Sequence, residues 1–184
     1  MACEIDSGRL DFSCRTSIGG LKNIYITRGF SNDLRANSTI TAGVITALTN
    51  PVNVYKFELM GDSNTFDQAP EGSRANGTSL FVPTGAFTLK KQDNLTTELM
   101  ESLSKGRFQV IIESNNGDFQ LAGFDNGVDF SIATTSGGAF DSINGYNVTF
   151  TGREANLAPF VDKAIVSAEA TTGFAVQATD ISPS

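Results

Sequence analysis

Four Asn-Gly pairs, at Asn76-Gly77, Asn116-Gly117, Asn126-Gly127 and Asn144-Gly145, punctuate short runs rich in β-branched and aromatic residues. Asn and Gly both tolerate positive φ, so the pair suits a two-residue type I′ turn between antiparallel strands. The runs are Val52 to Met60, Ser79 to Lys90, Arg107 to Ser114, Asp118 to Phe124, Val128 to Thr134 and Tyr146 to Thr151. They predict a mainly β chain, an antiparallel β-sandwich or barrel. With 184 residues, 40% of them hydrophobic and 18% charged, the chain has material for one packed core.

Two of the turns make a joint prediction. With Asn116 and Gly117 as the turn, Ile112 lies opposite Leu121, Ser114 opposite Phe119 and Val110 opposite Gly123. With Asn126 and Gly127 as the next, Leu121 lies opposite Ile132 and Gly123 opposite Phe130. Every apolar partner then shares a face, which a one-residue slip would scramble. The expectation is a three-stranded meander over residues 107–134. Its core face is Val110, Ile112, Leu121, Phe130 and Ile132, and its wet or partner-facing side is Gln109, Glu113, Gln120, Asp129 and Ser131. Tyr146, Val148 and Phe150 alternate with Asn147, Thr149 and Thr151, the pattern of a half-buried strand.

One segment reads as helix. Asp93 is a capping residue ahead of Leu95, Leu99, Met100 and Leu103, with Lys105 in the last turn and Gly106 as C-cap. The prediction is one flanking helix, about residues 94–105, laying its leucine stripe across an open side of the sheets. A second helical turn is expected near Glu154 to Val161, ended by Pro159. The polar stretch Gly61 to Thr78 reads as a long protruding hairpin or loop, and such loops are commonly functional. Residues 1–161 form a single β domain with an N-terminal arm. Residues 162–184 read as an added strand or an inter-subunit arm.

Catalytic and metal chemistry find little support. The chain has no His, which excludes Ser-His-Asp and Cys-His machinery and His-ligated metal. Cys3 and Cys14 cannot complete a four-ligand zinc site; they are either two small apolar side chains or a disulfide. Thr16 to Lys22 lacks Walker spacing, Asp125 with Asp129 shows no glycosidase signature, and Gly61 to Asn64 lacks EF-hand spacing. The expectation is no enzyme, no cofactor and no metal. Glu4 and Asp6 stand where a signal peptide needs Lys or Arg, and no apolar run approaches the ~20 residues of a membrane span, so no membrane partner is expected. The net charge of −7 disfavours a broad phosphate-gripping surface.

The order of features then resembles a family. It runs from "GGLKNIY" through the polar hairpin ending Asn76-Gly77-Thr78, the Asp93–Gly106 helix and the Arg107–Ile112 strand to "SNNGDFQLAGFDNG" and "GYNVTFTGRE". This is similar to virion proteins of tailed bacteriophages, in particular tail-tube-like subunits of phages of Bacteroidetes and related hosts. The resemblance spans residues 1–161. It implies a subunit that assembles with copies of itself into stacked, hexameric rings and meets other tail proteins. It implies a channel that passes DNA without binding it tightly, localisation in the virion tail after assembly in the host cytoplasm, and no catalytic residue. Glu71, Arg74, Asn76 and Gly77 are then the inter-subunit loop. Another virion β protein (neck, tail terminator or capsid decoration) and a surface module for glycan or protein stay open as alternatives.

Overall fold

The computed structural model describes residues 8–9, 17–61, 63–167 and 170–177. Cys3 and Cys14, and their pairing, lie outside these residues. The strands are β1 Leu21–Thr27, β2 Ser38–Thr41, β3 Val44–Leu48, β4 Val52–Glu58, β5 Thr65–Ser73, β6 Thr78–Lys90 and β7 Arg107–Phe108. They continue with β8 Val110–Ser114, β9 Phe119–Ala122, β10 Val128–Thr135, β11 Gly145–Gly152, β12 Phe160–Val161, β13 Val166–Ser167 and β14 Phe174–Gln177. Helix α1 spans Leu34–Asn37, α2 spans Asn94–Lys105, and a 3-10 turn covers Lys163–Ile165.

The strands form two sheets, so the fold is mainly β, with a curled half-barrel and α2 flanking the smaller sheet beside β10. One sheet has the order β13-β14-β4-β1-β8-β9-β12-β3-β2 and the other β5-β6-β11-β10-β7. The smaller sheet is antiparallel throughout. The larger is mixed, because β14 runs parallel to β4 and to β13, and β12 parallel to β3.

Strands β1 and β8 are buried on both faces, which produces two cores. Ile24, Ile26, Val110 and Ile112 point between the sheets and meet Phe87, Phe130, Val148 and Phe150. Tyr25 and Ile111 point the other way and join Leu34, Ile45, Leu48, Val54, Leu121 and Phe174. The curl of the large sheet encloses this second core. Near its far ends, the Leu48 N–H donates to the Thr172 carbonyl at 2.9 Å. Residues 162–167 and 170–177 therefore belong to the fold itself: β14 is an added strand, and Phe174 is fully buried.

The meander over 107–134 does not form. The first loop holds three residues, Asn115 to Gly117, with the Ser114 N–H donating to the Asp118 carbonyl at 2.9 Å. Ile111, not Ile112, faces Leu121, and Ile112 faces Gln120. A type I′ turn needs positive φ at both central residues. Gly117 has φ 86° but Asn116 does not, so a bulged three-residue loop replaces the two-residue turn. Asn126 and Gly127 close no hairpin either. There the chain leaves one sheet for the other, and β10 pairs with β11 and β7, not with β9. Gly123 and Gly127 both sit at positive φ, and a Cβ on Gly123 would lie 2.8 Å from Gly127 backbone atoms. Only glycine allows that reversal.

The predicted core face is consequently divided: Val110, Ile112, Phe130 and Ile132 serve the inter-sheet core, Leu121 the other. The predicted wet side is divided as well. Gln109 and Glu113 are buried, whereas Asp129 and Ser131 are exposed.

Strand β11 follows its alternation, with Tyr146, Val148 and Phe150 buried and Asn147, Thr149 and Thr151 exposed. Helix α2 starts where its cap predicts: Asp93 accepts from the N–H groups of Leu95 (2.9 Å) and Thr96 (3.1 Å) and from the Thr96 hydroxyl. Met100 and Leu103 are buried against the inter-sheet core, but Leu95 is 56% exposed, outside the expected stripe. Gly106 ends the helix in extended backbone. No helical turn forms at Glu154 to Val161. The Glu154 backbone instead exchanges hydrogen bonds with Phe81 at 2.8 and 2.9 Å, and Phe160–Val161 is a strand.

Candidate functional site

Period-two alternation gives the five-stranded sheet one apolar and one polar face. The inward set includes Phe87, Phe130, Tyr146, Val148 and Phe150. The outward set is built in cross-strand rows. One row runs Asp67, Thr84, Thr151, Asp129, and the next runs Thr65, Ala86, Thr149, Ser131. A third holds Thr88, Asn147 and Ala133, with the Thr88 hydroxyl donating to Asn147 Oδ1 at 3.2 Å. Each position carries Thr, Ser, Ala, Asn or Asp, so the face is built of small side chains, hydroxyl-rich and acidic, with a shallow hollow over Gly85, Phe130 and Phe150. Arg107 and Lys90 occur only at its margins, as the partners of Asp129 and Gly145.

The Gly61–Thr78 segment is mostly strand. β5 pairs with β6 over its whole length, and the turn Arg74 to Gly77 closes the hairpin with the Asn76 N–H donating to the Ser73 carbonyl at 3.1 Å. Glu71, Arg74, Asn76 and Gly77 are all exposed at this end, together on one protrusion. Asn116 and Gly117 lie far along the chain at the β8–β9 tip. There Asn116 Oδ1 accepts from the Ile18 N–H at 2.8 Å and holds the strand-leading segment in place.

Between β5 and the large sheet lies an open cleft of about 500 Å³. Phe66, Ile112 and Phe160 supply apolar walls, Ile18 and Gly20 one end, and Asp67 and Asp118 the only charges among the described lining residues.

Two buried carboxylates organise the scaffold, and sequence reasoning missed both roles. Glu154 is 4% exposed and accepts the N–H groups of Asp125 (3.1 Å) and Asn126 (2.9 Å), pinning the inter-sheet crossover. Burial raises its pKa above the usual carboxylate range, against the lowering effect of those N–H groups. Asp125 is in turn gripped by both nitrogens of a fork from Arg35, whose guanidinium lies 4.6 Å from the Phe124 ring centroid. Glu113 accepts from Asn23 Nδ2 (2.6 Å) and the Tyr25 hydroxyl (2.9 Å), with Lys22 at 3.5 Å. Burial alone would raise its pKa, but these donors and the Lys22 charge outweigh it and the net shift is downward. Burial and Glu113 together push the Tyr25 hydroxyl pKa upward. Gln109, where the chain switches sheets between β7 and β8, is fully buried and donates to the Ser31 carbonyl at 3.0 Å. Each of these groups has a structural partner, so they brace the large sheet and the crossover.

Among the described residues no cluster of three or more His, Cys, Asp or Glu could hold a metal ion. No helix among them is long and apolar enough to cross a membrane. Comparison with family models, curated proteins and solved structures finds no match for the chain.

Proposed function

We propose that the chain is a structural virion subunit, a tail-tube protein that assembles with copies of itself into stacked rings around a DNA-conducting channel. The observation that carries this reading is the outward face of the five-stranded sheet. A wall that passes DNA must not hold it, and every Lys or Arg on a phosphate adds affinity. The rows from Asp67 to Asp129 and from Thr65 to Ser131 offer mainly hydroxyls and carboxylates, and the one cation that continues them, Arg107, stands at the sheet edge as the partner of Asp129. Small hydroxyl side chains keep such a wall hydrated and smooth, and Asp67 and Asp129 repel a phosphate backbone.

One further feature supports the reading. The β5–β6 hairpin carries Glu71, Arg74, Asn76 and Gly77 away from the core, as an axial connector between rings requires.

Negative-stain microscopy and sedimentation of the purified full-length protein test this. Rings or tubes with a central hole are expected. A monodisperse monomer up to high concentration overturns the proposal, and a monomer or trimer that binds capsids assigns the chain to decoration instead. Deleting Glu71 to Asn76 is expected to impair stacking and leave the β circular-dichroism signal intact.

A further inference from the structure

We infer that the free edge of β5, with the cleft beneath it, is a docking site for an extended segment of another protein chain carrying alternating apolar and basic side chains. The inference goes beyond the tube reading and does not depend on it.

The edge is the first observation. Among the described residues β5 pairs with β6 alone, leaving one side of a nine-residue strand without a neighbour. Such an edge displays a row of N–H and C=O groups, the template for strand addition. Natural edges are commonly kept short or guarded by Lys. This one is long and carries no Lys; Pro70 takes one donor out of it, so the usable template is the stretch Thr65 to Ala69, whose only charged residue is Asp67.

The cleft is the second observation. It lies on the core side of the same edge, where Phe66 points inward and Phe160 remains 46% exposed on β12. Cross-strand pairing places Ile112, Gln120 and Phe160 in one row beneath it. The lower end is closed by the segment before β12, whose Ala158 N–H donates to Gln68 Oε1 at 2.7 Å. The sandwich is thus sealed by α2 beside β10 and open beside β5. A strand added to β5 would send alternate side chains into this cleft, against Phe66, Phe160 and Ile18. The intervening side chains would stand on the outer face next to Thr65 and Asp67.

Charge selects the occupant. Asp67 and Asp118 line the site, and no Lys or Arg does among the described residues. Basic side chains in the guest's outer set therefore meet Asp67, with Asp118 adding negative potential at the cleft, and acidic ones meet repulsion.

The test uses the full-length protein and a fluorescein-labelled short peptide of alternating valine and lysine, read by anisotropy. Saturable binding is expected, weakened about tenfold by Asp67→Asn combined with Asp118→Asn, both exposed positions that leave the fold intact. A valine–glutamate peptide is expected not to bind. Backbone N-methylation separates strand addition from loose electrostatic attachment. Methylating one alternate set of residues is expected to abolish binding and methylating the other to spare it. Equal tolerance of both sets, equal binding of the acidic peptide, or no binding at millimolar peptide overturns the inference. Rings that ignore the peptide refute this site and leave the tube reading standing. A peptide-binding monomer refutes the tube and leaves this site standing.

Discussion

Replacing Glu154 by Gln tests the packing of the two sheets at a single atom. The carboxylate is 4% exposed, and each of its oxygens takes one backbone N–H, from Asp125 and from Asn126. Gln is isosteric but has only one acceptor oxygen, so one of those buried N–H groups loses its partner and meets an NH₂ group. Relative to the carboxylate, leaving one buried donor unsatisfied costs about 1–3 kcal/mol, less what ionising the buried carboxyl costs the wild type. Set against the roughly 5–15 kcal/mol of a typical domain, that is a readily measured loss. The pH dependence gives an independent check. Burial raises the Glu154 pKa in the folded protein. The associated stability is therefore full below the ordinary glutamate pKa and is lost as pH rises through the elevated one. Gln does not titrate, so the stability gap between wild type and Glu154→Gln should narrow as pH rises across that window. Urea denaturation at a series of pH values measures both quantities. A variant as stable as wild type, or a gap that widens with pH, would refute the assignment of Glu154 as the buried clamp on the crossover.

Other substitutions probe other joints. Glu113→Gln should show the opposite pH trend. The Glu113 pKa is lowered, so its stabilisation is present above the ordinary glutamate pKa and lost as pH falls through the depressed one, and denaturation series should show the gap closing on acidification. Phe174→Ala should cost about 3–5 kcal/mol in thermal or urea melts, because the ring is fully buried under a strand integral to the large sheet. A near-neutral result would mean that β14 is part of an arm after all. Gly85→Ala should destabilise by about 1–3 kcal/mol, since the new methyl would sit 2.3 Å from ring atoms of the buried Phe150; wild-type melting would show that the ring has room to move.

What the sequence revealed depended on whether a strand had one wet face. β11 has one, so Tyr146, Val148 and Phe150 announced their burial by alternation. β8 has none: Val110, Ile111 and Ile112 are all buried, and an uninterrupted apolar run does not say which side chain faces which core. The Asn-Gly signal marked the hairpin ends at Asn76 and Asn116 and misjudged their length, but at Asn126 it fell on the crossover between sheets and at Asn144 on the start of β11. At Asn116 the single-residue difference between a two- and a three-residue loop moved Leu121 to the opposite face. Helix α2 was legible because its cap, its leucine spacing and its terminal glycine are local. The roles of Glu154, Gln109 and Arg35 were not, because their partners lie far away along the chain and are joined only by the sheet crossover. Of the candidate surface, the hairpin end at Glu71 to Gly77 was visible as a polar stretch. The Thr- and Asp-bearing wall emerged only when four strands were set in register.

A cryo-electron microscopy reconstruction of the assembled full-length protein bears most directly on the central claim. The account predicts a hollow ring with Thr84, Thr149 and Ser131 lining the bore. A ring in which those side chains face outward, or lie pressed against a neighbouring subunit, would contradict it.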